Sequence, residues 1–119
     1  MSDYHENLNS LDEKTLNIAR ALHSLKEEVE AIDWYNQRVA ASQDEALRGV
    51  MAHNRDEEIE HACMAIEWLR RNMDGWDESL KTFLFTEADI TSLEEEEAEA
   101  EKAGSGDLDL GIGKLKDKA

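Results

Sequence analysis

Proline is absent from this sequence, and its absence favours long, uninterrupted helices. Proline removes a helical hydrogen bond, and its ring clashes with the preceding turn of the helix. Cysteine is almost absent as well, since Cys63 stands alone and cannot form an internal disulfide. A lone cysteine is typical of a reducing cytoplasm, and the N-terminal segment lacks the charged and apolar regions of a secretory signal. We therefore expect one small cytoplasmic domain from a chain of 119 residues.

Basic residues are scarce: 13 lysines and arginines face 29 aspartates and glutamates, which gives a net charge of −16. A protein this acidic is repelled by nucleic acid and by anionic membrane surfaces. Apolar runs are also short, and none approaches the roughly 20 residues needed to span a bilayer. These features exclude nucleic acid and membrane as partners. Multivalent cations remain natural ligands for so many carboxylates.

Three segments have the apolar periodicity of amphipathic helices. The first runs from about Leu11 to Ala41, the second from about Glu45 to Asn72, and a short third from Trp76 to about Thr86. Ser42 and Asp44 are suitable caps between the first two. The sequence therefore predicts an all-α fold, in which two long helices form an antiparallel hairpin and a short third helix follows.

One such hairpin cannot cover its own apolar faces, and the folded part is very small for a self-sufficient core. We therefore expect two hairpins to dimerise into a four-helix bundle. Residues 1–86 form this helical domain. After them, residues 87–106 are expected to be an acidic flexible tether containing the runs EEEEAEAE and AGSG, and residues 107–119 a short terminal peptide.

Two ionisable residues lie where the second helix should be apolar. Glu58 and His61 lie in the middle of its core-facing stripe, and the spacing Glu-x-x-His places both side chains on one face. On the first helix, Glu28 lies at the edge of the apolar stripe. In an antiparallel hairpin with its turn near Gln43, facing residues have numbers that add to about 86, as 28 and 58 do. Because a buried carboxylate needs a positive partner or a metal ion, we expect a metal site here.

One chain thus supplies two carboxylates and one imidazole, which is half of the ligand set of ferritin-like di-iron proteins. Those proteins use one Glu from each of two helices and a Glu-x-x-His from each of the other two. A two-fold axis through the site would double the half-set, and four carboxylates would balance two ferrous ions. The pattern predicts a ferritin-like four-helix bundle with an inter-subunit di-iron site made by Glu28, Glu58 and His61 of both chains.

Simpler interpretations remain open at this point. Glu58 and His61 can pair with Arg48, with Arg55 or with each other at a wet interface, and Glu28 can be a solvated residue at its rim. The aromatic residues can serve packing alone, and the acids near Glu28 can form a solvated face or attract ferrous ions. The chain can also be an iron chaperone, a helical adaptor, or a di-iron enzyme of another kind, such as a peroxide reductase.

Three stretches in combination resemble one family: EEVEAIDWYNQRV at 27–39, HNRDEEIEHACMAIEWLRRN at 53–72 and LDLGIGKLK at 108–116. They are similar to encapsulated ferritins, the cargo enzymes of encapsulin nanocompartments. The resemblance implies a ferroxidase that converts Fe(II) to Fe(III) with dioxygen for iron storage. It implies that Glu28, Glu58 and His61 are the catalytic and iron-binding residues, and that dimers close into a ring-shaped homodecamer.

The same resemblance implies further roles. Glu27, Glu30 and Tyr35 match positions of metal access or of a secondary metal site, where calcium or another divalent cation can bind, and Trp34 matches a residue close to that centre. The terminal peptide resembles a signal that docks on the encapsulin shell and places the protein in a nanocompartment in the cytoplasm. Its apolar residues are Leu110, Ile112 and Leu115.

Overall fold

The computed structural model describes residues 4–96 and residue 98. A short 3-10 turn (Leu8–Ser10) precedes three helices, α1 (Glu13–Ala41), α2 (Glu45–Asn72) and α3 (Trp76–Phe83). Every element of regular structure in these residues is helical, so the all-α prediction is confirmed. No helix in the described part of the chain has the length and apolarity needed to cross a membrane.

The ends of the long helices are fixed by side-chain caps. Asp12 Oδ1 accepts a hydrogen bond of 2.7 Å from the backbone N–H of Thr15, and Asp44 Oδ1 accepts one of 3.0 Å from that of Leu47. The bonds from Thr15 hold the pKa of Asp12 below its usual range. Ser42 ends α1, and its Oγ accepts a bond of 3.2 Å from the backbone N–H of Asp44. The predicted caps and the bounds of α2 are therefore confirmed.

Helices α1 and α2 pack against each other as an antiparallel hairpin. Two arginines of α2 tie the helices together near the turn. Arg48 Nε donates to the backbone carbonyl of Val39 at 3.1 Å, and Arg55 Nη1 donates to Asn36 Oδ1 at 3.1 Å. Arg48 and Val39 lie at similar heights above the turn, as the register predicted from a turn near Gln43 requires, whereas the long Arg55 side chain reaches back towards the turn to meet Asn36.

The hairpin buries very little of its own apolar surface. Among the described residues only Ala62 and Leu69 are buried. On α2, five residues lie within about 100° of one another around the helix axis, and four of them are exposed while His61 is half-buried. They are called the His61 stripe here: Leu47, Val50, His61, Met64 and Trp68. Val50 is 54% exposed and Met64 is 63% exposed in the single chain. Such a stripe is typical of a helix that packs against another helix, so the predicted dimer has a surface available to it.

The described residues from Asp74 onwards form a separate compact unit. Gly75 has a φ of 102°, a conformation that favours glycine, and it is the N-cap residue of α3. Three details differ from the sequence interpretation. Helix α3 ends at Phe83 instead of near Thr86, and Phe85 is fully exposed. Residues 90–96 are helical, although the pattern of that segment indicated no helix.

The division of the tail into a tether at 87–106 and a terminal peptide at 107–119 stays a prediction. Most of the tether and the whole terminal peptide lie outside the described residues, including Leu110, Ile112 and Leu115. Where the tether begins, Asp89 supports the helical turn, since its Oδ2 accepts hydrogen bonds from Thr91 and Ser92. These bonds lower the pKa of Asp89.

Candidate metal centre

Helices α1 and α2 bring three predicted ligands together. Glu28 of α1 meets Glu58 and His61 of α2, and one donor atom from each lies within 4.8 Å of the other two. Glu58 and His61 are one helical turn apart, so they project from the same side of α2. Glu28 reaches them because the short turn sets the register between the helices.

The three side chains are close to one another but not hydrogen-bonded. His61 Nδ1 lies 3.6 Å from Glu28 Oε2 and 3.7 Å from Glu58 Oε2, which is longer than a hydrogen bond. Glu28 Oε2 is buried and has no hydrogen-bond partner. A buried carboxylate oxygen without a donor is costly. The arrangement therefore leaves a buried carboxylate oxygen without a donor, beside the imidazole of His61.

Neither Arg48 nor Arg55 donates a hydrogen bond to these carboxylates within the single chain. Arg48 donates to the carbonyl of Val39, and Arg55 donates to Asn36 and Asp56. Within the single chain neither arginine pairs with Glu58, and the imidazole of His61 lies beside it, with Nδ1 3.7 Å from Glu58 Oε2. Two carboxylate oxygens within 4.8 Å of each other repel by roughly 3 kcal/mol or more at an effective dielectric constant of 20. A cation placed between them would remove that repulsion.

The three ligands are buried to different extents, so one side of the cluster is more open to solvent than the other. The Glu28 and Glu58 side chains are 23% and 24% exposed, whereas the His61 side chain is 42% exposed. Glu28 is therefore not the solvated rim residue of the simpler interpretation. His61 belongs to the exposed stripe, so the cluster opens towards the surface that a second hairpin would cover.

The donor set fits a divalent transition metal. Carboxylate oxygens with one imidazole nitrogen suit iron, manganese and zinc, and a softer set would be needed for copper(I). Three donors from one chain leave one position of a four-coordinate ion, or three positions of a six-coordinate ion, open. The cluster is thus a possible half of a metal site, as the ferritin-like ligand pattern predicted.

The residues predicted for a secondary metal site are not brought into this cluster. Glu27 and Glu30 are exposed, and Trp34 is 50% exposed. Tyr35 is half-buried, and the Arg38 guanidinium lies 5.2 Å from the centre of its ring. Among the described residues, Glu28, Glu58 and His61 are the single group of three acidic, histidine or cysteine side chains close enough to share an ion. The secondary roles stay predictions.

Two further contacts were not anticipated from the sequence. One is the bond from Arg55, in the segment HNRDEE, to Asn36, in the segment DWYNQR. Pairing of side chains across two helices leaves no pattern in the linear sequence. His53 Nε2 lies 2.8 Å from Glu57 Oε1 on the exposed side of α2. Cys63 lies between apolar residues, which would suggest a packed side chain, but it is exposed in the single chain.

Comparison with known proteins gives a consistent assignment. The EncFtn-like family matches residues 3–87. A ferritin-like protein of Thermotoga maritima is 58% identical over 93 residues, which are 78% of this chain and 82% of the relative. An encapsulated ferritin-like protein of Rhodospirillum rubrum is 58% identical over 90 residues, which are 76% of this chain but only 64% of the relative.

A solved structure agrees with the sequence relatives. The crystal structure of protein ne0167 from Nitrosomonas europaea superposes with a TM-score of 0.73 at 48% identity, and the match covers 75% of this chain and 99% of that one. Fold and ligand cluster together define a ferritin-like helical protein with three side chains close enough to share a metal ion. The chain belongs to the EncFtn-like family.

Glu28→Gln tests whether the cluster is strained without metal. The amide keeps the shape of the side chain but removes one of two facing charges, so the metal-free protein should become more stable by about 1 kcal/mol. Urea unfolding in the presence of a chelator measures this change. Glu27→Gln, which alters an exposed neighbour, serves as the control and should leave the midpoint unchanged. An equal or lower stability for Glu28→Gln would contradict a strained site.

Proposed function

We propose that this protein is a ferroxidase, which oxidises Fe(II) to Fe(III) with dioxygen at a di-iron site shared by two copies of the chain. The observation that carries the proposal is the cluster of two carboxylates and one imidazole in which Glu28 Oε2 is buried without a partner. The ferrous ions are the substrate. The family assignment supports an iron-related function of the ferritin-like kind.

The ligand count supports a site made by two chains. One chain supplies two carboxylates and one imidazole, and two related chains supply four carboxylates and two imidazoles, the full ferritin-like di-iron set. Four carboxylate charges balance two ferrous ions. The half-exposed position of His61 on an unpartnered stripe supports a partner chain at this surface. Metal binding and dimer formation then reinforce each other.

In the proposed reaction, the main contribution of the protein is to hold the two ferrous ions in place. Each ferrous ion gives up one electron, so the two ions of one site supply two electrons to a dioxygen molecule. Carboxylate oxygens are hard anionic ligands and favour the ferric product. Glu28, Glu58 and His61 hold the ions and leave coordination positions open for dioxygen. A chaperone with the same ligands would bind ferrous iron without accelerating its oxidation.

The surfaces of α2 support an assembly larger than a dimer. Ile59 is 43% exposed and is two residues from His61, so the two side chains point about 160° apart around the helix. One partner hairpin cannot cover both sides. Two different two-fold interfaces on one chain generate a ring when the rotation between them closes. This supports the ring-shaped homodecamer implied by the sequence resemblance.

We propose that the terminal peptide at 107–119 docks the protein on an encapsulin shell, which places it in a nanocompartment in the cytoplasm. The name of the Rhodospirillum rubrum relative supports this partner. Leu110, Ile112 and Leu115 alternate with glycine and lysine, so they can fill small apolar pockets while the glycines allow a close backbone approach. Attachment through the tether raises the local concentration of the enzyme at the shell, where ferric product is stored.

Glu58→Ala and His61→Ala each remove a proposed iron ligand. We expect the rate of ferrous oxidation to fall by more than roughly 100-fold, because even residues that only orient a ligand cost 10-fold to 100-fold. Stopped-flow absorbance of the ferric product measures the rate, and circular dichroism checks that the helices remain. Glu60→Ala and His53→Ala, on exposed parts of the same helix, should oxidise iron normally. Rapid oxidation in either ligand variant would refute the assignment.

Met64→Glu tests the two-chain site. Met64 lies on the His61 stripe, and a charge there should weaken the dimer and slow ferrous oxidation with it. Native mass spectrometry in the presence of ferrous iron reports the mass of the assembly and the number of ions together. Ile59→Glu is the matched control, and we expect it to preserve dimers and oxidation while it prevents larger rings. A monomer that retains full oxidation would contradict a shared site.

Serine at Leu110, Ile112 and Leu115 tests the docking peptide. The three changes should abolish co-purification with a co-expressed encapsulin shell, because they remove the apolar groups that fill its pockets. The purified variant should still oxidise ferrous iron at the normal rate. Lys118→Ser is the control for tail composition. Undiminished packaging of the triple variant would show that another segment docks.

A further inference from the structure

Arg55 carries a positive charge next to the metal centre. It precedes Glu58 by three residues on α2, a spacing at which helical side chains are neighbours. Its guanidinium can form two parallel hydrogen bonds to a carboxylate, which is the strongest pairing available to it. A guanidinium on Glu58 would occupy a ligand and place a cation beside the ion. Arg55 would therefore compete with the metal ion for Glu58 unless its side chain were held elsewhere.

The structure shows what holds it. Arg55 Nη1 donates to Asn36 Oδ1 across the hairpin at 3.1 Å, and Arg55 Nε donates to Asp56 Oδ1 at 3.1 Å. The Arg55 side chain is 27% exposed, so it lies mostly against the neighbouring helix. Helical side chains lean towards the N-terminus of their helix. Arg55 thus extends towards the turn, where Asn36 lies, and away from Glu58.

We infer that Asn36 is a positioning residue of the metal centre: its amide oxygen holds the Arg55 guanidinium off Glu58 and keeps that carboxylate available to the metal ion. The inference rests on the proposed metal-binding function of the cluster. Asp56 engages only the Nε of Arg55. When Asn36 is removed, the donors of the outer guanidinium lose their acceptor and turn to the next carboxylate one helical turn along, which is Glu58.

A titration with Co²⁺ tests this role without iron chemistry. We expect Asn36→Ala to weaken Co²⁺ binding by about tenfold, the lower end of the effect of residues that orient metal ligands. Asn17→Ala is the matched control. Asn17 also accepts a hydrogen bond from an arginine, Arg20 Nη1 at 2.7 Å, but lies 11 residues before Glu28 on α1, and its change should leave binding unaltered.

The double variant Asn36→Ala with Arg55→Gln separates this role from simple helix packing. With the guanidinium gone, Glu58 has no competitor, so the double variant should regain the affinity of the wild type for Co²⁺. If the bond between the helices mattered only for packing, the second change would leave binding as weak or weaker. That result would overturn the inference.

Arg55→Gln alone keeps the test decisive if Asn36→Ala does not fold. It should bind Co²⁺ at least as tightly as the wild type, and a clear loss of affinity overturns the inference. If the wild type binds Co²⁺ and Asn36→Ala binds it equally tightly, the inference is overturned while the proposed function stands. A wild-type protein that binds no Co²⁺ overturns the proposed function and this inference together.

Discussion

Two carboxylates from facing helices come together beside one imidazole while Arg48 and Arg55 donate elsewhere, and the proposed function depends on this arrangement. Glu28 and Glu58 are about three-quarters covered, and the histidine beside them is too far away to donate a hydrogen bond. Side chains that only stabilised the hairpin would not be placed this way, because apolar residues of similar size would pack there without electrostatic cost. The cost is recovered when a cation binds.

The exposed apolar surface of the hairpin is a separate reason to expect a binding partner at this site. Only Ala62 and Leu69 are buried among the described residues, so a single chain gains little from packing. The exposed stripe of α2 contains the site histidine between Val50 and Met64. One partner hairpin on this surface would cover apolar side chains and supply the missing half of the ligands. The need for a core and the need for ligands are met by the same contact.

Much of this could be predicted from the sequence because the governing rules are local. The caps at Ser42 and Asp44 set the turn, the turn sets the register, and the register places Glu28 opposite Glu58. The path of Arg55 could not be predicted, because the sequence allows it to pair with Glu58 as readily as with Asn36. The helical segment at 90–96 was also not predicted, because its acidic composition indicated a solvated segment and hid the role of Asp89 at the start of the helix. The exposure of Phe85 depends on a backbone φ of 58° that no pattern of apolar residues encodes.

Splitting the proposed site between two chains changes what the metal controls. In a bundle made of one chain, connected helices hold the ligands together whether or not an ion is bound. Here the second set of carboxylates arrives only with the second chain, and each chain already has a net charge of −16. A metal-free dimer would place four carboxylates around one axis, so its repulsion exceeds that within one hairpin. Ferrous ions therefore stabilise the dimer more than the single chain, and on the proposed function the substrate itself favours assembly of the site that oxidises it.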